Sequence, residues 1–142
     1  MTRSSKVKLF FPKKTRLANR TRLKSFIEKI FKKEGKILGG LNYVFCSDGE
    51  LLKINRTYLK HDYYTDIITF DLSESKSKEG EIYISVDRVR DNARKLGATF
   101  KSELHRVIFH GALHLCGYKD KDKKDRIQMR EKEDYYLNQY FI

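Results

Sequence analysis

The chain has 142 residues and a formal net charge of +12, from 31 Lys and Arg against 19 Asp and Glu, with 39% hydrophobic and 13% aromatic residues. That length suits one domain with a core of its own, and only two cysteines, Cys46 and Cys116, argue against a disulfide framework. No run approaches the ~18 apolar residues of a membrane span. The basic N-terminus also lacks the apolar segment of a signal peptide, so we expect a cytoplasmic protein whose partner is anionic, nucleic acid first.

In chain order, residues 6–11 alternate Val7, Leu9 and Phe11 with Lys8 and Phe10, a first strand closed by the single proline, Pro12. Over 20–34, Leu23, Phe26, Ile27, Ile30 and Phe31 have helical spacing, with Asn19 to cap the helix and Gly35 to end it. Its other face holds Arg20, Arg22, Lys24, Lys29, Lys32 and Lys33, either a solvated face or a track for a phosphate backbone. Residues 41–46 alternate as a second strand, and Ser47-Asp48-Gly49-Glu50 is a capping box opening a short helix to Tyr58. The loop 60–64 carries His61, Tyr63 and Tyr64, whose tyrosine rings can stack on unpaired bases or cover the edge of the core.

Strands over 65–71 and 80–86 flank the polar, low-complexity stretch 73–79, which reads as a mobile loop and a natural lid if it lies over a site. Asp87 starts a helix that Gly97 stops, Thr99 caps the next, and the charged segment 122–133 leads a last helix whose early acids suit its dipole. The expected fold class is α+β: a single domain, 1–142, with about four strands in a mixed sheet covered by helices. A metal site would sit on one helix and the turn after it.

That helix is the one capped by Thr99. His110 and His114, four apart, project from one face of it. Gly117 tolerates the left-handed exit a helix end often needs, and Asp120 follows on a segment able to fold back. Two nitrogens and one oxygen make a three-ligand set for a divalent metal with a fourth position for water, a catalytic layout more than a closed structural one. The spacing alone leaves satisfied core histidines equally open. Leu104, Val107, Ile108, Leu113 and Leu115 make the helix apolar around both, however, and unpaired imidazoles are costly there. Glu103, seven residues before His110, lies on nearly the same face. It could orient a ligand histidine or accept a proton, or be an exposed first-turn acid favourable to the dipole. Cys116 points to the opposite side from His114 and reads as a small core hydrophobe.

The run His110-Gly111-Ala112-Leu113-His114-Leu115-Cys116-Gly117-Tyr118-Lys119-Asp120 resembles the signature of the YbeY family, which usually reads H-G-x-L-H-L-x-G-Y-D-H. The resemblance extends upstream through Asn55-Arg56-Thr57-Tyr58, Asp62, Thr65-Asp66-Ile67-Ile68-Thr69-Phe70 and Gly80-Glu81-Ile82. It implies a metal-dependent, single-strand-specific endoribonuclease acting in ribosomal RNA (16S 3′ end) maturation and ribosome quality control. Its substrate would be single-stranded or ribosomal RNA, with the ribosome or ribosomal proteins as further partners. One divalent metal, Zn2+ by preference, would be held by His110, His114 and Asp120.

This chain departs from that pattern twice. Asp120 stands where most of the family has His, which keeps a competent ligand. Leu59 stands where the family usually has Arg, so contact with phosphate has to come from elsewhere. No general base is evident, and no catalytic residue is assigned beyond the ligands. Three other readings stay open. A metallopeptidase would lack its Glu directly after the first His, where Gly111 sits. A non-catalytic RNA-binding assembly factor would use the metal structurally. A non-haem iron protein would use the same two histidines and carboxylate.

Overall fold

Alternating apolar residues build the centre of the molecule, a sheet that helices cover on both faces. The computed structural model describes residues 5–142. The elements are β1 (Val7–Phe10), α1 (Arg20–Lys33), β2 (Ile37–Cys46), α2 (Asp48–Leu59), β3 (Ile67–Asp71), β4 (Ser77–Ser85), α3 (Val86–Leu96), α4 (Phe100–Leu115) and α5 (Lys123–Tyr140). The strands lie in the order β1-β2-β4-β3. The pairs β1·β2 and β2·β4 are parallel and β3·β4 is antiparallel, so this is the expected α+β fold with a four-stranded mixed sheet.

The parallel step from β1 to β2 requires a crossover, which α1 supplies. Tyr43 and Phe45 of β2 and Ile82 and Ile84 of β4 point to one face, where they share a buried cluster with Leu23, Ile27, Ile30 and Phe31 of α1. Leu104, Ile108, Ala112 and Leu115 of α4 complete that cluster. Tyr43, fully buried, donates its hydroxyl hydrogen to the Ile108 carbonyl at 2.7 Å. A smaller cluster of Cys46, Leu51 and Ile68 seats α2 on the other face.

Helix α4 lies close against β3 and β4, and Gly111 is what allows it. A Cβ there would meet Ile82 Cδ1 at 2.8 Å and Ile67 Cδ1 at 3.1 Å. From the sheet side, a Cβ on Gly80 would meet Leu115 Cδ1 at 2.8 Å. The glycine after His110 is thus a packing residue that brings the histidine-bearing helix down onto β3. We expect Gly111→Ala to destabilise the fold by about 1 kcal/mol, because overpacking costs about 1–3 kcal/mol against a helix-propensity gain of about 1 kcal/mol or less. Thermal unfolding checks this; a higher Tm would show that the Ile82 side chain yields freely.

Three local expectations change. Asn19 does not cap α1 through its side chain; it sits in the left-handed region, φ 55°, and its carbonyl accepts from Leu23 N at 2.9 Å. Strand β2 starts at Ile37, ahead of the expected 41, with an irregularity between Leu38 and Gly40; the glycine pair hides it from an alternation reading. Strand β4 starts at Ser77, so the last three residues of the stretch expected as a loop are paired strand. Ser73 Oγ accepts from Glu79 N at 2.9 Å, and Leu72 N donates to the Glu79 carbonyl at 2.8 Å. The segment is a hydrogen-bonded hairpin end.

Candidate metal centre

The rigid part of the centre is α4, capped where Thr99 Oγ1 accepts from Ser102 N at 3.0 Å. Its four-residue spacing puts the His110 and His114 rings together, centroids 4.6 Å apart and nearly perpendicular at 81°. Gly117 leaves the helix at φ 107°, a conformation other residues rarely adopt. Tyr118 N donates back to the Leu113 carbonyl at 3.1 Å, closing the turn. The chain then folds over the helix, and Asp120 Oδ2 comes to 3.2 Å from His110 Nε2 and 3.1 Å from His114 Nε2. Each of the three residues offers one ligand atom, all within 4.8 Å of one another.

The far side of each ring is equally well defined. His110 Nδ1 lies 2.6 Å from Glu133 Oε2, and His114 Nδ1 lies 2.9 Å from the Tyr118 carbonyl. Both partners are acceptors, so each Nδ1 carries the ring hydrogen and donates it, leaving the Nε2 lone pairs facing Asp120. Lone pairs converging on a carboxylate oxygen repel unless positive charge sits among them. A cation satisfies that demand. A tetrahedral zinc site with bonds of about 2.0–2.1 Å holds its ligand atoms roughly 3.3 Å apart, close to the spacing seen here. The donor set fits a divalent ion.

The ring of His110 sits among negative charges. Burial pushes its pKa down, but the hydrogen bond it donates to Glu133 and the charges of Glu133, Asp120 and Asp66 outweigh burial and raise it above the ordinary 6.5. Glu133 is itself held, 5% exposed, by Arg106 Nη1 at 3.0 Å, and Arg106 Nη2 reaches Asp134 at 2.7 Å. The line Asp134–Arg106–Glu133–His110 therefore ties α5 to α4 through His110. Such outer partners orient a metal-binding histidine and raise its basicity.

The motif tyrosine anchors His114. Tyr118 donates its hydroxyl hydrogen to Glu34 Oε1 at 2.6 Å; Tyr136 and Lys132 donate to Oε2, the lysine at 3.2 Å. The turn that orients His114 is thus tied to the end of α1 and to α5. Burial raises the Glu34 pKa, but the three donors prevail and hold it below the ordinary 4.5. Its folded value lies below its unfolded one, so this contribution to stability is complete above about pH 4.5 and lost as the pH falls through the folded value. Glu34→Gln is expected to cost about 1–3 kcal/mol at neutral pH and to flatten the acid side of a stability–pH curve. An unchanged acid slope would remove Glu34 from the account.

A cleft of about 620 Å3 opens from His110, His114 and Asp120 along β3, past Asp66, Ile67 and Thr69, to Glu103 and Arg106. Burial pushes the Asp66 carboxyl up, with His110 opposing it. Glu103 is only 8% exposed, so it is not an exposed first-turn acid. Burial raises its pKa too, with Arg106 opposing. The partner of His110 is Glu133 rather than Glu103. No spacing signal in the sequence could have found Glu133, which sits 23 residues from His110 among the other charges of α5. Cys116 is buried, its thiol pushed up to about 12 chiefly by burial, as befits a core residue. Leu59, at the end of α2, does not line the cleft. Tyr63 stacks on His61, and Tyr64 lies under the Arg88 guanidinium, both residues 55% exposed.

Fold and site define a class: an α+β domain with a histidine–histidine–aspartate donor set at one end of an open cleft. The family model described as Endoribonuclease YbeY matches residues 10–141, and the chain belongs to that family. It is 54% identical over 132 residues to the endoribonuclease YbeY of Cytophaga hutchinsonii, covering 91% of this chain and 92% of that one. With the endoribonuclease YbeY of Bacteroides thetaiotaomicron it shares 50% over 112 residues, 79% of this chain and 82% of the relative. A solution structure from Thermotoga maritima superposes with a TM-score of 0.65 at 31% identity, covering 95% of this chain and 89% of that one. Among the described residues, no helix is long and apolar enough to cross a membrane.

Proposed function

We propose that this chain is a metal-dependent endoribonuclease that cuts single-stranded RNA, ribosomal RNA in particular, during 16S 3′-end maturation and ribosome quality control. It works as one domain in the cytoplasm and meets its substrate on the ribosome or with ribosomal proteins. The observation that carries the reading is the convergence of His110 Nε2, His114 Nε2 and Asp120 Oδ2 beside an open cleft, with both Nδ1 atoms held from behind. The YbeY membership supplies the class of substrate.

In this reading His110, His114 and Asp120 hold one divalent ion, zinc. Such an ion would supply Lewis acidity and lower the pKa of a water bound to it. Glu133 and Tyr118 keep the two imidazoles in the tautomer that binds. Asp66 and Ile67 line the cleft beside the centre, and Arg106 is committed to Glu133 and Asp134. Asp120, an anionic ligand in place of a neutral one, reduces the charge of the centre.

The test uses untagged protein, with elemental analysis beside cleavage assays on single-stranded and duplex RNA of one sequence. Roughly one zinc per chain, cleavage of the single strand alone, loss on chelation and recovery with zinc are the expected results. Full metal occupancy and RNA binding without cleavage would replace this reading with that of a non-catalytic assembly factor.

A further inference from the structure

The centre lies between two grooves, and only one of them is the cleft along β3. The second, about 540 Å3, runs along the start of α5 and shares His110, Asp120, Arg130 and Glu133 with the first. Its cations are Lys123, Arg126 and Arg130, all exposed. Their spacing of three and four residues places them on one face of α5, along roughly 10 Å of helix.

These cations serve the protein poorly as structure. Lys123 and Arg126 lie at the N-terminal end of α5, where positive charge opposes the helix dipole, and the last turn of α5 has no basic residue at all. Among the described residues neither forms an ion pair, and Arg126 only reaches the Lys121 carbonyl, at 2.7 Å. Arg130 comes no nearer to a carboxylate than 3.7 Å, from Glu133. Charges placed against local stability mark a surface kept for another purpose. Glu131 and Asp134 also line this groove, but Asp134 is engaged by Arg106.

The β3 cleft has the opposite character. Asp66, Asp71 and Glu103 line it, its Arg106 is paired, its other cation, Arg130, stands at the border shared with the second groove, and Leu59 does not reach it. A polyanion lying across the centre would be repelled on that side and needs its grip on the other.

We propose that Lys123, Arg126 and Arg130 form a phosphate track that holds the RNA backbone on the α5 side of the centre and feeds the strand to it. The inference rests on the endoribonuclease reading and names the surface that replaces the cation missing at Leu59. Continuity of the groove with the centre favours the substrate strand over an acidic protein segment.

The test measures binding of a short fluorescent 2′-O-methyl oligouridylate against salt concentration, for wild type, K123Q/R126Q/R130Q, and K24Q/K29Q/K32Q on α1 as a charge-matched control. Metal content and Tm confirm that each variant is folded. Loss of three phosphate contacts on a single strand is expected to reduce the slope of log K against log salt by about 2, with the control near wild type. An unchanged slope in the α5 variant, with wild type still cutting RNA, would overturn the track alone and leave the groove to an acidic protein. Equal losses in both variants would also overturn it, in favour of diffuse charge. Wild type that neither binds nor cuts RNA would sink the functional reading first, and the track with it.

Discussion

His114→Ala is expected to abolish metal binding and RNA cleavage together while leaving the fold in place. His114 is partly exposed, and its Nε2 faces Asp120 rather than the core. Removing it leaves only His110 and Asp120, and metal affinity should fall by more than the roughly 10–100-fold typical of losing an outer partner. Chelator competition, with Tm of the metal-free protein in parallel, separates lost binding from lost fold. Retained stoichiometric metal in His114→Ala would move the site elsewhere. Asp120→His carries the idea further. A neutral ligand in place of an anion leaves more charge on the ion, so metal should stay and cleavage should rise at lower pH than in wild type. A pH–rate profile that moves upward, or not at all, would contradict the proposed electrostatics.

The second large effect belongs to Glu133. Its Oε2 accepts from His110 Nδ1 at 2.6 Å while its Oε1 accepts from Arg106 at 3.0 Å. Glu133→Ala frees the His110 ring to turn and leaves the poorly exposed Arg106 with Asp134 alone. Metal affinity is expected to fall about 10–100-fold, with a loss of stability of about 1–3 kcal/mol for the broken charged hydrogen bonds. Glu133→Gln keeps an acceptor for Nδ1 and should recover part of the affinity. If both variants lose stability but bind metal like wild type, Glu133 is a structural residue and orients nothing.

The His110–His114 pair and the glycine exit at Gly117 were legible because helical spacing and left-handed turns are local properties. The capping box at Ser47 and the cap at Thr99 were legible for the same reason: a side chain and a backbone N–H three residues on suffice. The hidden start of β2 shows where local reading fails. Gly39 and Gly40 have no side chains to alternate, yet the space at Gly39 is taken by Ser77 across the sheet. Glu103 shows the converse. Its place in the first turn of α4 suggested solvent, and burial beside the β3 cleft overruled it.

By itself the sequence determined which residues could bind a metal, that the chain is basic, and the order of helices and strands. Those depend on chemical type and on neighbours within a turn or two. Only the tertiary structure decided that Asp120 closes on both Nε2 atoms, that Glu133 and Tyr118 hold the rings from behind, and that Arg130 stands where two grooves meet. These contacts join residues far apart in the chain, through a sheet and helix packing whose geometry follows from burial of the whole apolar core rather than from any one stretch.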